Sequence, residues 1–399
     1  MEIATRLLPQ SEILQEWWKE VKENFWQDDA KPQVLKLVKE LMESTLREDM
    51  MLHIDRRPYQ RTPDHGSYRN GYYERGLVTQ FGTINDIKVP RLRRGVFTTK
   101  VFKRYKRYQD IVEDLVEDVF LAGVSTRRVG DAISKLLDTK VSHGTVSRIV
   151  KRLDAKVREY RTKPILDEYQ HLFLDGIVLK IRYNNAYHNR SVLVAYGITM
   201  FGERKLIGFI QTQGESANNW EAFLNDLYRR GFEGKNLKLV TIDGSKGLRS
   251  ALRLVYPLVP VQRCWAHKGR NVANYIPKRH QEECTGELKT IYDAKDRYRA
   301  IEAFKLWKKK WYKVSEKAVS CIENDLEELL CVYSFPETQR KKIRTTNIIE
   351  RSFREVRRRT RVFSCFSNKD SCDRIIYAIF THLNNGWKDR PLKQFTQFC

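Results

Sequence analysis

HLFLDGIVLKIRY (171–183), SVLVAYGITMF (191–201), KLIGFIQT (205–212) and, after a helix-patterned interval, KLVTIDGS (238–245) are the runs that decide the fold. The first three are rich in aliphatic and β-branched residues and are joined by short links, which predicts three sequential antiparallel strands. The interval before the fourth carries Trp220, Phe223, Leu224 and Leu227 on one helical face. The fourth run reads as a strand that ends at Asp243-Gly244.

Strand-strand-strand-helix-strand is the order of an RNase H-like mixed sheet, so the chain is expected to be α/β. Asp175 falls inside the first apolar run, immediately before Gly176. An acid there is costly unless it is hydrogen-bonded, solvated at a cleft or bound to metal. Asp243 stands at the carboxyl end of the fourth run, where open α/β sheets place their sites. Either residue alone reads as an ordinary turn or cap. In an RNase H-like sheet, however, the first and fourth strands are neighbours, and both carboxylates face one crevice. Such a pair suits Mg²⁺, with Mn²⁺ as its substitute, because a hard ion takes carboxylate and phosphate oxygens. Two ions about 4 Å apart can activate an attacking oxygen and stabilise a leaving one.

A third acid is then needed from a later element, and Glu350 is the best placed. It follows Arg344-Thr345-Thr346-Asn347 and precedes Arg351, Arg354, Arg357, Arg358, Arg359 and Arg361. So basic a helix beside a catalytic acid would hold a DNA backbone against the metals. The plainer alternative is a solvated helix with a Glu350–Arg354 pair at i,i+4.

Upstream, residues 10–50 look helical, and RRPYQRTPDHGSYRNGYYERG (56–76) reads as a loop. GLVTQFGTINDIKVPRL (76–92) reads as a hairpin turning near Gly82 and closed by Pro90. Three amphipathic helices follow, the second capped by Ser125 and the third by Ser142. The third carries Val146, Ile149, Val150, Leu153 and Val157 as one stripe, with Arg148, Lys151, Arg152 and Lys156 largely off it. A basic last helix in such a trio describes a helix-turn-helix that reads a major groove; a small bundle with solvated cations is the alternative.

Net charge is +24, from 74 Lys and Arg against 50 Asp and Glu, which argues for a polyanionic partner. No run approaches the roughly 18 apolar residues of a membrane span, and the amino-terminal stretch lacks the pattern of a secretory leader. Seven cysteines, all from Cys264 onward, fit reduced thiols, so a cytoplasmic or nucleoid location is expected.

The segments LDGIVLKIR, ESANNWEAFLNDLYRRG, TIDGSKGLRSAL, VQRCWAHKGRNV and RTTNIIERSFREVRRRTR, preceded by RNGYYERGLVTQFGTINDIKVPR, resemble the Mutator-type transposases of bacterial and archaeal insertion sequences. The resemblance runs from about residue 68 to the carboxyl end. It implies an RNase H-like catalytic domain interrupted by a helical insertion, with Asp175, Asp243 and Glu350 as the metal-binding acidic triad. It also implies a Cys-x-x-His signature, matched by Cys264 and His267. Cys264, His267, His280 and Cys284 have a spacing that could bind zinc, but the family pattern includes only the first two, so zinc is not expected.

The implied organisation is a helical region with a hairpin (1–105), a helix-turn-helix-like domain (106–165), a first part of the catalytic core (166–264), a helical insertion (265–336) and the rest of the core (337–399). The implied activity is recognition of terminal inverted repeats in double-stranded DNA, hydrolysis at element ends and transfer of the freed 3′-hydroxyl to target DNA. Arg148, Lys151, Arg152, Arg344, Asn347, Arg351, Arg354, Arg357 and Arg358 are the expected DNA contacts. Pairing two ends implies at least a homodimer on DNA. Two rival readings are a tyrosine-type recombinase, against which the Asp-bearing β-runs argue, and a DNA-binding regulator without activity.

Overall fold

The computed structural model describes residues 30–55, 68–101, 106–122, 124–137, 140–184, 186–361 and 365–396. The helical reading of residues 10–29, most of the Tyr- and Arg-rich loop (56–67), Gly123, Asp138, Thr139 and Cys399 lie outside them. The chain divides into two compact units, one up to Phe120 and from Val124 to Arg152, the other comprising Leu121–Gly123 and Leu153–Cys399.

In the first unit, helix α1 (Ala30–Ile54) lays Met42 and Leu46 on the apolar face of a hairpin, strands β1 (Arg69–Thr79) and β2 (Gly82–Leu92). Leu77, Ile84, Ile87 and Val89 supply that face. The turn falls just before Gly82, as the sequence predicts, but the first strand begins at Arg69 rather than near Gly76. Its early half is mostly exposed, so pairing with β2 extends it where no apolar alternation announces a strand.

Helices α2 (Asp110–Leu121), α3 (Thr126–Leu137) and α4 (His143–Val150) follow. The Ser142 side chain accepts the Thr145 N–H as an N-cap, and Ser125 accepts from Arg128 N at 3.4 Å. The expected third helix is two. At Arg152 the bonding tightens to the i−3 carbonyl (Arg152 N–Ile149 O, 3.0 Å), and α5 (Leu153–Thr162) starts afresh in the second unit. Val146, Ile149 and Val150 are buried on α4, and Leu153 and Val157 on α5, so the apparent single stripe serves two cores.

The second unit is built on a five-stranded sheet of order β5-β4-β3-β6-β7. Strands β3 (Tyr169–Tyr183), β4 (Ala186–Thr199) and β5 (Arg204–Thr212) are antiparallel; β6 (Leu239–Ile242) and β7 (Val261–Arg263) run parallel to β3. The parallel pairs require crossovers, which α6 (Ala217–Arg229) and α7 (Lys246–Val255) supply. Both pack on one face of the sheet, where Trp220, Phe223, Leu224, Leu248 and Leu252 meet Leu172, Leu174 and Leu193.

After β7 come α8 (Trp265–Tyr275), α9 (Lys278–Tyr292), α10 (Arg297–Trp311), α11 (Glu316–Glu323), α12 (Leu326–Leu330) and a 3-10 turn at Cys331–Ser334. The chain ends in α13 (Glu337–Ile343), α14 (Asn347–Thr360), α15 (Lys369–Trp387) and α16 (Lys393–Thr396). Helix α15 covers the sheet face opposite α6 and α7, with Phe380 on Phe209 and Trp387 on Tyr196. Among the described residues no helix is long and apolar enough to cross a membrane.

Candidate active site

Strand β6 is four residues long, and it pairs with β3 only from His171↔Leu239 to Leu174↔Ile242. Asp175 is the first residue of β3 past that ladder, and Asp243 the first residue past β6. A bridge from Ile181 to Phe366 closes the same edge further on (Arg182 N–Phe366 O, 2.8 Å; Phe366 N–Lys180 O, 2.9 Å). Between these closures the edge of β3 is a notch, and the two aspartates stand at its inner end.

Asp175 is 9% exposed, and its Oδ1 accepts the Gly176 N–H at 2.8 Å. Burial pushes its carboxyl up to about 7; the charges of Asp243 and Glu350 push the same way, while the Gly176 N–H and His267 oppose them. Asp243 Oδ1 accepts the Ser245 N–H at 2.9 Å, fixing the turn into α7.

Glu350, on the first turn of α14, is brought to the notch by a seam of long-range bonds. Thr241 Oγ1 donates to Ile343 O (2.7 Å), Trp265 N to Arg344 O (3.0 Å) and Thr346 N to Cys264 Sγ (3.3 Å). The start of α14 is thereby fastened to β6 and to the junction of β7 and α8. Glu350 Oε1 accepts from Arg270 at 3.1 Å and lies 3.5 Å from His267 Nε2. The His267 Nδ1 lies 3.3 Å from Thr346 Oγ1.

Cys264 and His267 form a coupled pair. Burial opposes the thiolate, yet hydrogen bonds with His267 and Thr346 outweigh it and hold the thiol below its ordinary value. The hydrogen bond to Cys264 raises the imidazole correspondingly, against burial. His280 and Cys284 are elsewhere, on α9 against Trp311 and Trp307. Among the described residues no three His, Cys, Asp or Glu side chains form a group ready to hold a metal ion.

The basic residues divide into two kinds. Arg351, Arg354, Arg357, Arg358 and Arg361 are exposed along α14, as is Asn347 at its start, although Arg358 also bonds Glu355 at 2.8 Å. Arg344 is committed inward: it stacks over Tyr292 and bonds the Tyr292 carbonyl (2.8 Å) and Asp293. In the first unit Arg148 and Lys151 are exposed at the end of α4, whereas Arg152 pairs with Glu113 (3.0 Å) and Asp114 (3.2 Å). Arg75, Arg91, Arg107, Arg148 and Tyr73 line an open groove of about 1490 Å³ there.

Sequence reasoning passed over Glu215. It precedes the Ser216 cap of α6, and burial together with the charge of Asp243 raises its carboxyl. Its sequence neighbourhood resembles any helix start; the signal is tertiary.

A family model described as "Transposase, Mutator family" matches residues 11–390. The transposase for insertion sequence element IS256 in transposon Tn4001 of Staphylococcus aureus is 33% identical over 364 residues, 90% of this chain and 91% of the relative. The transposase for ISRM5 of Rhizobium meliloti is 31% identical over 353 residues, 88% of each. That for IS406 of Burkholderia multivorans is 34% identical over 334 residues, 83% of this chain and 85% of the relative. Among solved structures, a chain of a Mos1 transposase paired-end complex with left transposon end aligns with 57% of this chain and 82% of its own, at 12% identity and a TM-score of 0.18. That superposition is too loose to bear on the fold.

Proposed function

The chain belongs to the Mutator family of transposases, and from that premise we propose that it cuts DNA at the ends of an insertion sequence and joins them to target DNA, using Asp175, Asp243 and Glu350. The observation that carries this reading is the notch. Two aspartates from neighbouring strands and a glutamate from a distant helix are close enough that Asp243 and Glu350 both oppose ionisation of Asp175. The sheet order, with three antiparallel strands before the first crossover, supports an RNase H-like core. The helices between β7 and α13 are read as the insertion.

The donors fit a hard divalent cation. All three are carboxylates, one is buried with like charges beside it, and a cation would relieve that repulsion. Asp175, Asp243 and Glu350 would hold Mg²⁺, with Mn²⁺ as substitute. When bound, the metal supplies activation of an attacking oxygen and stabilisation of a leaving one in an in-line displacement.

The chain's own residues do the rest. Cys264 fixes Thr346, one turn before Glu350, so the signature cysteine positions the third acid. Arg270 and His267 hold Glu350 by Oε1. Arg351, Arg354, Arg357 and Arg358, with Asn347, would meet DNA phosphates beside the acids. Arg344 would instead secure α14 against the insertion. Arg148 and Lys151, and the basic groove near them, are assigned to the terminal inverted repeats. Arg152, tied to two acids, would take part only by exchanging them for phosphate.

The deciding experiment is incubation of the protein with labelled element-end DNA, with Mg²⁺ and in EDTA. Strand cleavage that needs Mg²⁺ and leaves no protein attached to DNA is expected. Cleavage in EDTA with covalent attachment would show a different chemistry, and binding without cleavage in either condition would show a regulator.

A further inference from the structure

Two glycines flank the aspartates, Gly176 directly after Asp175 and Gly247 four residues after Asp243, and both open onto the same short segment. A Cβ at Gly176 would overlap the carboxylate of Glu215, which supplies its three nearest atoms. A Cβ at Gly247 would lie 2.8 Å from Ala217 N and 3.1 Å from Glu215 O. The segment Glu215–Ala217 is therefore set into space that side chains would otherwise fill. The Gly214 carbonyl just before it accepts from Thr212 Oγ1 (2.8 Å) and Asn219 Nδ2 (2.9 Å), and Ser216 caps α6 just after it.

Strand alternation then gives the carboxylate a direction. Successive side chains on a strand face opposite sides, so Gly176 faces the α6 and α7 side and Asp175 faces the side covered by α14 and α15. Beyond Leu174, β6 no longer separates the two faces along this edge. Glu215 thus reaches the notch from one face of the sheet and Glu350 from the other, with the two aspartates between them.

We propose that Glu215 is a fourth acidic member of the divalent-cation site, binding the ion directly or through water from the face opposite Glu350. The proposal rests on the reading of Asp175 and Asp243 as metal ligands, and the test separates the two. Mn²⁺ binding to the full chain without DNA is measured by calorimetry for the parent, Asp175→Ala, Glu215→Gln and Gly176→Ala. Glu215→Gln removes the charge and keeps the shape. Gly176→Ala keeps the charge but displaces a flexible carboxylate, and its strand backbone is one that alanine adopts readily.

Asp175→Ala should lose measurable Mn²⁺ binding, and both other variants should weaken it by at least about tenfold, the scale on which outer ligands act. Normal binding by Glu215→Gln beside a dead Asp175→Ala overturns the proposal. Weakening by Glu215→Gln with normal Gly176→Ala assigns a distant field effect and overturns ligation. Undiminished binding by Asp175→Ala overturns the underlying site, and this inference with it. Circular dichroism of each variant checks that the fold is intact.

Discussion

Two clusters of charge lie at the ends of β6 and β7, and they are arranged on opposite principles. In one, Arg263 bonds Glu328 (2.8 Å) and Asp325 (3.2 Å), Lys268 bonds Asp325, and Arg249 bonds Glu328. Three cations meet two carboxylates, and Lys268 and Arg263 are nearly buried. In the other, Asp175 feels the like charges of Asp243 and Glu350, Glu215 feels that of Asp243, and the pairs made by His267 and Arg270 both fall on Glu350. In the first cluster every charged group has an opposite partner, and Arg263 and Lys268 tie the segment around Asp325 and Glu328 to the end of β7. The second is left with surplus negative charge at its centre. The contrast teaches that carboxylates on neighbouring elements can be met in different ways: one set by the protein's own cations and the other, on the reading proposed above, by a cation from outside.

The widest separation between the clusters should appear in catalysis. Asp175→Ala, Asp243→Ala and Glu350→Ala are each expected to lower end cleavage and strand transfer by at least about a thousandfold, some 4 kcal/mol of barrier. DNA binding, followed by mobility shift, should survive. Near-normal cleavage by any one of them removes that residue from the site.

Stability should split with opposite signs. Asp325→Ala takes the carboxylate from buried Lys268, while Arg263 keeps Glu328, and should cost about 3 kcal/mol in denaturant unfolding. Asp175→Asn should instead raise Tm in EDTA at pH 8. With its folded value near 7 against an ordinary 3.8, the acid favours the fold when protonated. That contribution is complete below 3.8 and is lost as pH rises toward 7, so the gap between variant and parent should widen across that window. A fall in Tm for Asp175→Asn would contradict the surplus-charge account.

A smaller effect belongs to a group in neither cluster. His171 is buried between Phe335 and Phe395, its Nδ1 has no hydrogen-bond partner among the described residues, and burial lowers it to about 4. Its neutral form supports the fold above the ordinary 6.5, and that support is lost as pH falls toward 4, by roughly 3 kcal/mol at most. His171→Phe should flatten that acid limb; an unchanged limb would place the sensitivity elsewhere.

The mildest expectation concerns α14. Replacing Arg354 and Arg357 with alanine should weaken binding to all DNA sequences alike and reduce the salt slope by about 0.9 for each phosphate left without its arginine. Weakening confined to element-end DNA would mean that these arginines read sequence.

Much of the second unit's architecture is legible because its strands and helices obey their own periods. The runs at 171–183, 191–201 and 205–212 and the Trp220–Leu227 face fall where the apolar pattern places them. Acids inside apolar strands stand out for the same reason, so Asp175 and Asp243 could be named from their surroundings. What stayed hidden depends on contacts between distant segments. Arg344 sits in a run of basic residues, and nothing local shows that Tyr292 and Asp293 claim it. Glu215 is masked by a helix cap of the commonest kind. The continuous stripe from Val146 to Val157 conceals a break because both halves bury apolar residues, each in its own unit. The early half of β1 escaped for the converse reason: a ribbon paired on one side and wet on both faces has no alternation to read.

One consequence follows from how short β6 is. An unfinished ladder ordinarily invites a foreign strand to add itself, which is how sheets aggregate. Here the bare rim of β3 begins with a carboxylate that turns back to take the Gly176 N–H, and like charges crowd around it. The acids proposed above to hold an ion therefore also make the rim a poor template for another polypeptide. Lengthening β6 by even two residues would lay backbone along Asp175 and Gly176 and close the gap at the end where the two aspartates stand.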